Sequence, residues 1–215
     1  QETFNEFARA IGQGLATAVG MALAEKLLSS RFGSNLVDHY TYVIAGDGCL
    51  QEGISHEAIE FSGHLKLSKL IVLWDDNKIS IDGSTGLSNS ANQISRFKAA
   101  GWHTQTIDGH DHDEIEEAII NSKKSRKPSI IACKTTIGFG APNLGGTSKT
   151  HGAPLGADEI VATRKALGWP NKPFEIPEDI LELWKKTAER SQKIFEEWEN
   201  RYEQSSKKKR FRLFI

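Results

Sequence analysis

The sequence predicts an α/β fold, a mostly parallel sheet with helices on both faces. Short apolar runs alternate along the chain with segments whose apolar residues recur at helical spacing, an order typical of βαβ units. Two of the runs, Leu70–Trp74 and Ser129–Lys134, are apolar almost throughout. Strands covered on both faces have such runs, whereas half-exposed strands alternate between apolar and polar residues. The pattern therefore favours a sheet that lies between two layers of helices.

The first predicted element is a helix over residues 1–29, in which apolar residues recur at helical spacing. This segment contains Gly12-Gln13-Gly14, a glycine pattern that also occurs in dinucleotide-binding loops. Such a loop follows a strand, and the residues before Gly12 do not have a strand pattern, so that interpretation is disfavoured.

The remaining predicted elements alternate. A strand at Thr41–Ala45 leads into a crossover helix at Glu52–His64, and Leu70–Trp74 is the next strand. Residues 75–90 are rich in polar residues and glycine and are predicted to form a loop. The elements after this loop are a helix at Ala91–Ala100, strands at Trp102–Ile107 and Ser129–Lys134, a helix at Asp158–Leu167 and a long amphipathic helix at Pro177–Tyr202.

Two further segments require comment, and the first has competing interpretations. Residues 108–114, DGHDHDE, alternate acids and imidazoles, which can indicate a metal site, but Asp111 and Glu114 have the spacing of an N-cap and its reciprocal partner. We therefore expect a helix start there. Residues 138–152 are rich in glycine, and we expect a mobile loop with few apolar side chains to hold it.

Composition excludes several function classes. Hydrophobic residues make up 38% of the 215 residues and the net charge is −1, so there is no general attraction for nucleic acid or an anionic membrane. The apolar runs are too short to span a bilayer, and QETFNEF does not resemble a signal peptide. Cys49 and Cys133 lie in or beside strand-like runs, which favours free thiols over a disulfide. We expect a cytoplasmic protein without a nucleic-acid or membrane partner.

Polar residues follow two strands of the predicted sheet. Asp47 stands between Gly46 and Gly48 after one strand, and Asn77 follows the next strand along the chain. Carboxyl ends of parallel strands meet at one edge of a sheet, so we expect Asp47 and Asn77 to lie side by side. Their oxygens suit Mg²⁺ or Ca²⁺, and the glycines let a phosphate approach backbone N–H groups. The alternative is that Asp47 caps the following helix and Asn77 shapes a loop.

Four sequence blocks carry a resemblance to a known family. GDGCLQEGISHEA at residues 46–58 and DDNKISIDG at 75–83 resemble the thiamine-diphosphate fingerprint of transketolases. KTTIGFGAPN at 134–143 and SKTHGAPLGADEI at 148–160 continue the likeness, which covers roughly residues 10 to 185. The resemblance implies transfer of a two-carbon ketol unit between ketose and aldose phosphates, with thiamine diphosphate and Mg²⁺ (or Ca²⁺) as cofactors.

The resemblance also implies a metal and diphosphate site. Asp47, Asn77 and the backbone carbonyl of Ile79 would bind the metal. Gly46, Asp47 and Gly48 would contact the cofactor, with the Gly48 N–H directed to its diphosphate.

Other residues take roles by the same resemblance. Ile137, and with it Ile81, would lie near the cofactor rings, with a structural core as the alternative. His151 would face the substrate channel, where it could transfer a proton or bind a sugar hydroxyl. Glu52 and Glu57 would approach a subunit interface, with an exposed helix face as the alternative.

The resemblance further implies a domain organisation. Residues 1–185 would form the diphosphate-binding domain, and residues 186–215 a C-terminal helix and a solvated or foreign basic tail, with membrane or nucleic-acid contact as the tail's alternative. About the first ten residues diverge, since Arg9 and Ala10 stand where transketolases usually have Gly-Pro. A homodimer or a partner chain carrying a pyrimidine-binding domain is expected. The alternatives are a non-catalytic remnant, one subunit of a split enzyme, or a different thiamine-dependent synthase or dehydrogenase.

Overall fold

The computed structural model describes residues 3–5 and 12–213, which fall into two compact units. The larger unit comprises residues 3–5, 12–23 and 40–168, and the smaller comprises residues 24–39 and 169–213. The first helix, α1 at Gln13–Phe32, contributes residues to both.

The larger unit is built on a parallel sheet. Within the described residues, the sheet has five strands in the order β1-β2-β3-β7-β6, and a separate antiparallel pair joins β4 to β5. The strands are β1 at Thr3–Asn5, β2 at Thr41–Gly46, β3 at Leu70–Asp76, β4 at Ile79–Ser80, β5 at Gly83–Ser84, β6 at His103–Asp108 and β7 at Ser129–Lys134. The helices after α1 are α2 at Gly53–His64, α3 at Gln93–Ala99, α4 at His112–Lys124 and α5 at Ala157–Ala166.

Both faces of the sheet are covered, which confirms the predicted fold class. On one face Val43, Val72 and Ile130 of the central strands pack with side chains of α1, α2 and α3. On the other face Ile71 and Ile131 pack with α4. Successive residues of a strand point to opposite faces, so two apolar layers require a nearly continuous apolar run.

The prediction of one helix over residues 1–29 is wrong at its start. Thr3–Asn5 pairs with β2 as a strand, and the helix begins only at Gln13. Gly12 precedes it with φ +74°, and a Cβ at that position would lie 2.7 Å from the Cβ of Glu52. Glycine is therefore required at this turn. Ala8, Arg9, Ala10 and Ile11 lie outside the described residues.

Strand β3 is longer than its apolar run predicts. Asp75 and Asp76 continue the ladder beside Cys133 and Lys134 of β7. Backbone pairing does not depend on apolar side chains, so the run marks only the covered part of the strand. The predicted loop at 75–90 consequently begins after Asp76, and it contains the short β4–β5 hairpin.

The start of α4 confirms the predicted helix signature. Asp111 Oδ1 accepts hydrogen bonds from the backbone N–H groups of Asp113 at 2.9 Å and Glu114 at 3.0 Å. The reciprocal hydrogen bond from the Asp111 N–H to the Glu114 side chain is not formed, since Glu114 Oε2 accepts from the N–H of Asp108 at 2.8 Å. The acid therefore ties the helix to the end of β6.

The smaller unit contains α6 at Glu178–Gln204 and α7 at Lys208–Arg212. Phe211 of α7 is only 6% exposed and packs with Phe32, Leu36 and Val37. The prediction of a solvated or foreign tail is therefore wrong at Phe211. The lysines and arginines around this residue made the segment look fully exposed in the sequence, although Phe211 itself is buried. The indole N–H of Trp198 in α6 donates to the carbonyl of Leu36 at 2.9 Å.

Two further observations concern the cysteines and the helices. Cys49 and Cys133 form no disulfide in the described chain, as predicted. Within residues 12–213, none of the helices has the length and apolar character that a membrane crossing requires.

Candidate functional site

The candidate site lies at the carboxyl edge of the parallel sheet. Gly46, the last residue of β2, pairs with Asp75 of β3. Asp47 therefore leaves the sheet beside the end of β3, and Asn77 follows that end directly. The register thus supports the expected juxtaposition of Asp47 and Asn77.

The Asp47 carboxylate has one oxygen that the described residues leave unsatisfied. Its Oδ2 is buried and has no hydrogen-bond partner among the described residues. It does not cap the 3₁₀ turn that follows at Gly48–Leu50, which disfavours the capping alternative. Burial is the main cause that raises the pKa of Asp47 to about 6, and repulsion from Asp76 adds to it. The indole N–H of Trp74 favours the ionised form without completing a hydrogen bond.

Asn77 is held in a tight turn that directly follows β3. Its Oδ1 accepts from the N–H of Ile79 at 2.9 Å, and its Nδ2 donates to Asp75 Oδ2 at 3.0 Å. Lys78, between Asn77 and Ile79, has φ +63°. Asn77 therefore does shape a loop, as the alternative proposed. The same contacts fix its amide orientation and leave a second lone pair on Oδ1.

Neighbouring residues that the sequence did not single out support this turn. Asp75 accepts a hydrogen bond from Thr135 Oγ1 through Oδ1 and one from Asn77 through Oδ2. Asp76 is paired with Lys78, whose Nζ lies 2.6 Å from its Oδ1. Among the buried oxygens of these three aspartates in the described chain, only Asp47 Oδ2 has neither a hydrogen bond nor an ion pair. The two acids before Asn77 were visible in the sequence, but nothing there indicated Thr135.

The donor chemistry of this edge fits a hard divalent cation. A buried carboxylate oxygen without a partner is unfavourable unless a cation or a proton satisfies it. Within residues 12–213, no group of three or more His, Cys, Asp or Glu side chains is arranged to hold a metal. A cation here would therefore draw on one carboxylate, an amide oxygen and backbone carbonyls, which is oxygen chemistry suited to Mg²⁺.

The other residues expected at the site lie on separate elements. Ile79 is half-buried in β4, whereas Ile81 is 74% exposed. Glu52 precedes α2 and Glu57 lies on it, and both are exposed, Glu57 beside a cavity of about 590 Å³ that the apolar side chains of α1 and α2 help to line. None of these positions makes a hydrogen bond to Asp47 in the described part of the chain.

His151 and Ile137 lie at opposite ends of the glycine-rich loop, residues 138–152. His151 is exposed, and its backbone N–H donates to Ser148 at 3.0 Å. Ile137 is half-buried, and its carbonyl accepts from Gly146 at 2.7 Å. No hydrogen bond in the described chain joins the His151 imidazole to Asp47.

The glycine-rich loop itself is a series of closed turns. Ala141 N–H donates to Gly138, and Gly145 N–H donates to Ala141, each at 3.0 Å. Gly140 has φ +85°, and a Cβ there would lie 2.7 Å from the side chain of Leu167. Backbone hydrogen bonds therefore shape this loop, and the expectation that it is mobile, with few apolar side chains to hold it, stays a prediction.

His110 supports the start of this loop, and sequence reasoning missed it. Its Nε2 accepts from the N–H of Thr136 at 2.9 Å, and its ring stacks on Phe139 with centroids 4.0 Å apart. The residue lies in the acid- and imidazole-rich segment that was interpreted only as a helix start. Contacts across such a sequence distance leave no local pattern to detect.

Comparisons with known proteins show the family of the chain. Residues 6–213 match the family described as transketolase, thiamine diphosphate binding domain. Transketolase from Sinorhizobium medicae is 58% identical over 205 residues, which cover 95% of this chain, and transketolase from Cereibacter sphaeroides is 56% identical over 195 residues, which cover 91%. This chain spans 30% of the length of each of these relatives.

Solved structures give the same result. The transketolase structure from Campylobacter jejuni has a TM-score of 0.91 and 42% identity, and the match covers 94% of this chain and 32% of that one. A Pichia stipitis transketolase in complex with sedoheptulose 7-phosphate has a TM-score of 0.86 and 40% identity, over 90% of this chain and 29% of that one. The chain belongs to the transketolase family, in which it corresponds to the thiamine-diphosphate-binding domain.

Proposed function

We propose that this chain supplies the metal- and diphosphate-binding half of a transketolase site, which transfers a two-carbon ketol unit between sugar phosphates. The observation that carries the proposal is the buried Asp47 Oδ2, which has no hydrogen-bond partner among the described residues, at the carboxyl edge of the sheet. Family membership supports the cofactor, thiamine diphosphate. The Pichia stipitis transketolase, solved in complex with a sugar phosphate, supports the substrate class.

In this proposal three groups bind the metal. They are the Asp47 carboxylate, the Asn77 amide oxygen and the backbone carbonyl of Ile79, and Mg²⁺ suits them better than Ca²⁺ because few protein ligands are offered and Mg²⁺ shares its shell with phosphate. Hydrogen bonds from Thr135 and Asn77 to Asp75 keep the amide in place. Gly46 and Gly48 border the carboxylate without side chains, so the Gly48 N–H can approach the cofactor's diphosphate.

Two further residues, Ile137 and His151, act at the end of the cofactor where the reaction takes place, which we call the reacting end. Thiamine diphosphate, when bound, supplies the electron sink for breaking a carbon–carbon bond next to a carbonyl. Ile137 provides an apolar wall that excludes water. His151 binds a sugar hydroxyl or moves a proton at neutral pH, for which its exposed position on the loop leaves access.

The proposal extends to assembly and location. Glu52 and Glu57 lie toward a subunit interface in a homodimer, or in a complex with a chain that carries a pyrimidine-binding domain. The exposed apolar side chains of Ile54 and Phe61 on the same helix support an interface there. We place the protein in the cytoplasm, in keeping with its free thiols.

Calorimetry tests the site directly. Thiamine diphosphate is titrated into the chain with Mg²⁺ and with EDTA, for the unchanged protein and for Asp47→Ala. We expect binding only with Mg²⁺ and only when Asp47 is present, because the variant leaves the metal one amide and one carbonyl. Equal binding in EDTA contradicts the assignment. Asp82→Ala, which removes an exposed carboxylate in the following hairpin, is the matched control.

A coupled enzyme assay tests catalytic activity independently of cofactor binding. The chain is supplied with thiamine diphosphate, Mg²⁺, xylulose 5-phosphate and ribose 5-phosphate, with and without a separately encoded pyrimidine-domain chain from the same source. We expect no turnover by the chain alone, and turnover with the added chain identifies a split enzyme. Absence of turnover in both reactions favours a non-catalytic remnant.

A further inference from the structure

One buried carboxylate holds the middle of the glycine-rich loop. Glu159, in the first turn of α5, is 7% exposed. Its Oε1 accepts from the backbone N–H groups of Asn143 at 2.8 Å and Leu144 at 3.0 Å, and its Oε2 accepts from Asn143 Nδ2 at 2.8 Å. Hydrogen bonds to an ionised acceptor are about twice as strong as neutral ones. The Asn143 side-chain donor is the main cause that lowers the pKa of Glu159, so the carboxylate is ionised at neutral pH.

From Leu144 the contacts continue toward His151. The Leu144 carbonyl accepts from Thr147 Oγ1 at 2.7 Å, and the Thr147 carbonyl accepts from Thr150 Oγ1 at 2.9 Å. Thr150 directly precedes His151. It also packs against Gly138, where a Cβ would lie 2.9 Å from Thr150 Cγ2. The carboxyl end of the loop is therefore linked to the segment that Glu159 holds.

The other end of the loop is linked to the same segment. Gly145 N–H donates to Ala141 at 3.0 Å, and Gly146 N–H donates to Ile137 at 2.7 Å. These bonds close the chain on either side of Asn143 and Leu144. Ile137 and His151, the two residues proposed to face the reacting end, are thus both linked to the segment that Glu159 holds, and His110 contacts the start of the loop separately.

We propose that Glu159 is the positioning residue of the glycine-rich loop and sets the placement of Ile137 and His151 relative to the cofactor, an inference that rests on the proposed function. The competing explanation is that Glu159 only complements the α5 dipole as a first-turn acid. Asp158 is also a first-turn acid of α5 but is exposed and has no hydrogen bond to the loop in the described chain. A comparison of substitutions at Asp158 and Glu159 therefore distinguishes a dipole effect, which both acids can have, from a loop contact, which only Glu159 makes.

Amide hydrogen exchange on the full chain tests the positioning role. Glu159→Gln replaces an acceptor oxygen with an NH₂ group that opposes its donors, and Asp158→Asn is the charge-matched control. In Glu159→Gln we expect exchange about tenfold faster or more at Gly146 and Thr150, whose amides do not touch Glu159. Exchange at Val72 in the buried sheet stays unchanged in both variants, which excludes global unfolding as the cause. Asn143→Ala, which removes one donor only, is expected to accelerate the same loop amides to a smaller extent.

The outcomes are distinct. Unchanged loop exchange in both Glu159→Gln and Asn143→Ala overturns the proposal, as does equal acceleration in Asp158→Asn. Should Glu159→Gln fail to fold, Asn143→Ala decides by itself. In the cofactor arm, we expect Glu159→Gln to weaken thiamine diphosphate binding with Mg²⁺ about tenfold and Asp158→Asn to leave it unchanged. Absence of binding by the unchanged chain contradicts the proposed function, whereas the exchange results still decide whether Glu159 holds the loop.

Discussion

Asp47 is expected to destabilise the metal-free protein, and Asp47→Asn should therefore raise its stability at neutral pH. Folding raises the pKa of this carboxyl from its ordinary value of 3.8 to about 6, chiefly by burial. The native state therefore binds a proton more tightly than the unfolded state does. The resulting cost is absent below about pH 4, grows as the pH rises through the interval, and is fully present above about pH 6.

The size of the effect follows from that shift. One pKa unit corresponds to about 1.4 kcal/mol, so the full shift gives an upper limit of about 3 kcal/mol. Asp47 is only half-buried, and solvent screening reduces the expected gain to about 1–2 kcal/mol. For a chain of this length, each kcal/mol moves the melting temperature by about 2–4 °C.

Thermal unfolding in EDTA measures the difference in stability between Asp47→Asn and the unchanged protein. We expect Asp47→Asn to melt several degrees above the unchanged protein at pH 7.5, and above it by only about a third of that difference at pH 4.5. Asp82→Asn, which removes an exposed charge in the β4–β5 hairpin, should have little effect at either pH. With Mg²⁺ and thiamine diphosphate the order should reverse, because only the unchanged protein gains binding energy. An Asp47→Asn protein that is less stable in EDTA at pH 7.5 refutes the reasoning.

Three further predictions concern packing within the two units. Phe211→Ala should lower the free energy of unfolding of the smaller unit by about 3 kcal/mol, measured by Trp198 fluorescence in urea, and an unchanged midpoint contradicts its anchoring role. Gly12→Ala should destabilise the chain by at least about 1 kcal/mol, because its positive φ and the contact with Glu52 leave no room, whereas the open position Gly20 should accept alanine without loss. Iodoacetamide should modify Cys133 at least about tenfold more slowly than Cys49 at pH 8, because burial raises the Cys133 pKa to about 11, and equal rates by mass spectrometry refute it.

Local patterns in the sequence determined the fold class and indicated the candidate site. The runs Leu70–Trp74 and Ser129–Lys134 indicated covered strands because two-sided burial requires apolar residues at consecutive positions. Asp111 indicated the start of α4, since capping depends on neighbours three residues away. Asp47 and Asn77 could be placed at one sheet edge, because parallel strands bring their carboxyl ends together.

The tertiary structure alone decided which of these groups are satisfied and which are not. Asp75 and Asp47 are both acids at strand ends, yet contacts from Thr135 and Asn77 complete the first, and burial without a partner leaves the second open. Glu159 was indistinguishable in sequence from its exposed neighbour Asp158. Hydrogen bonds and burial join residues that are far apart in the chain, so no local pattern encodes them.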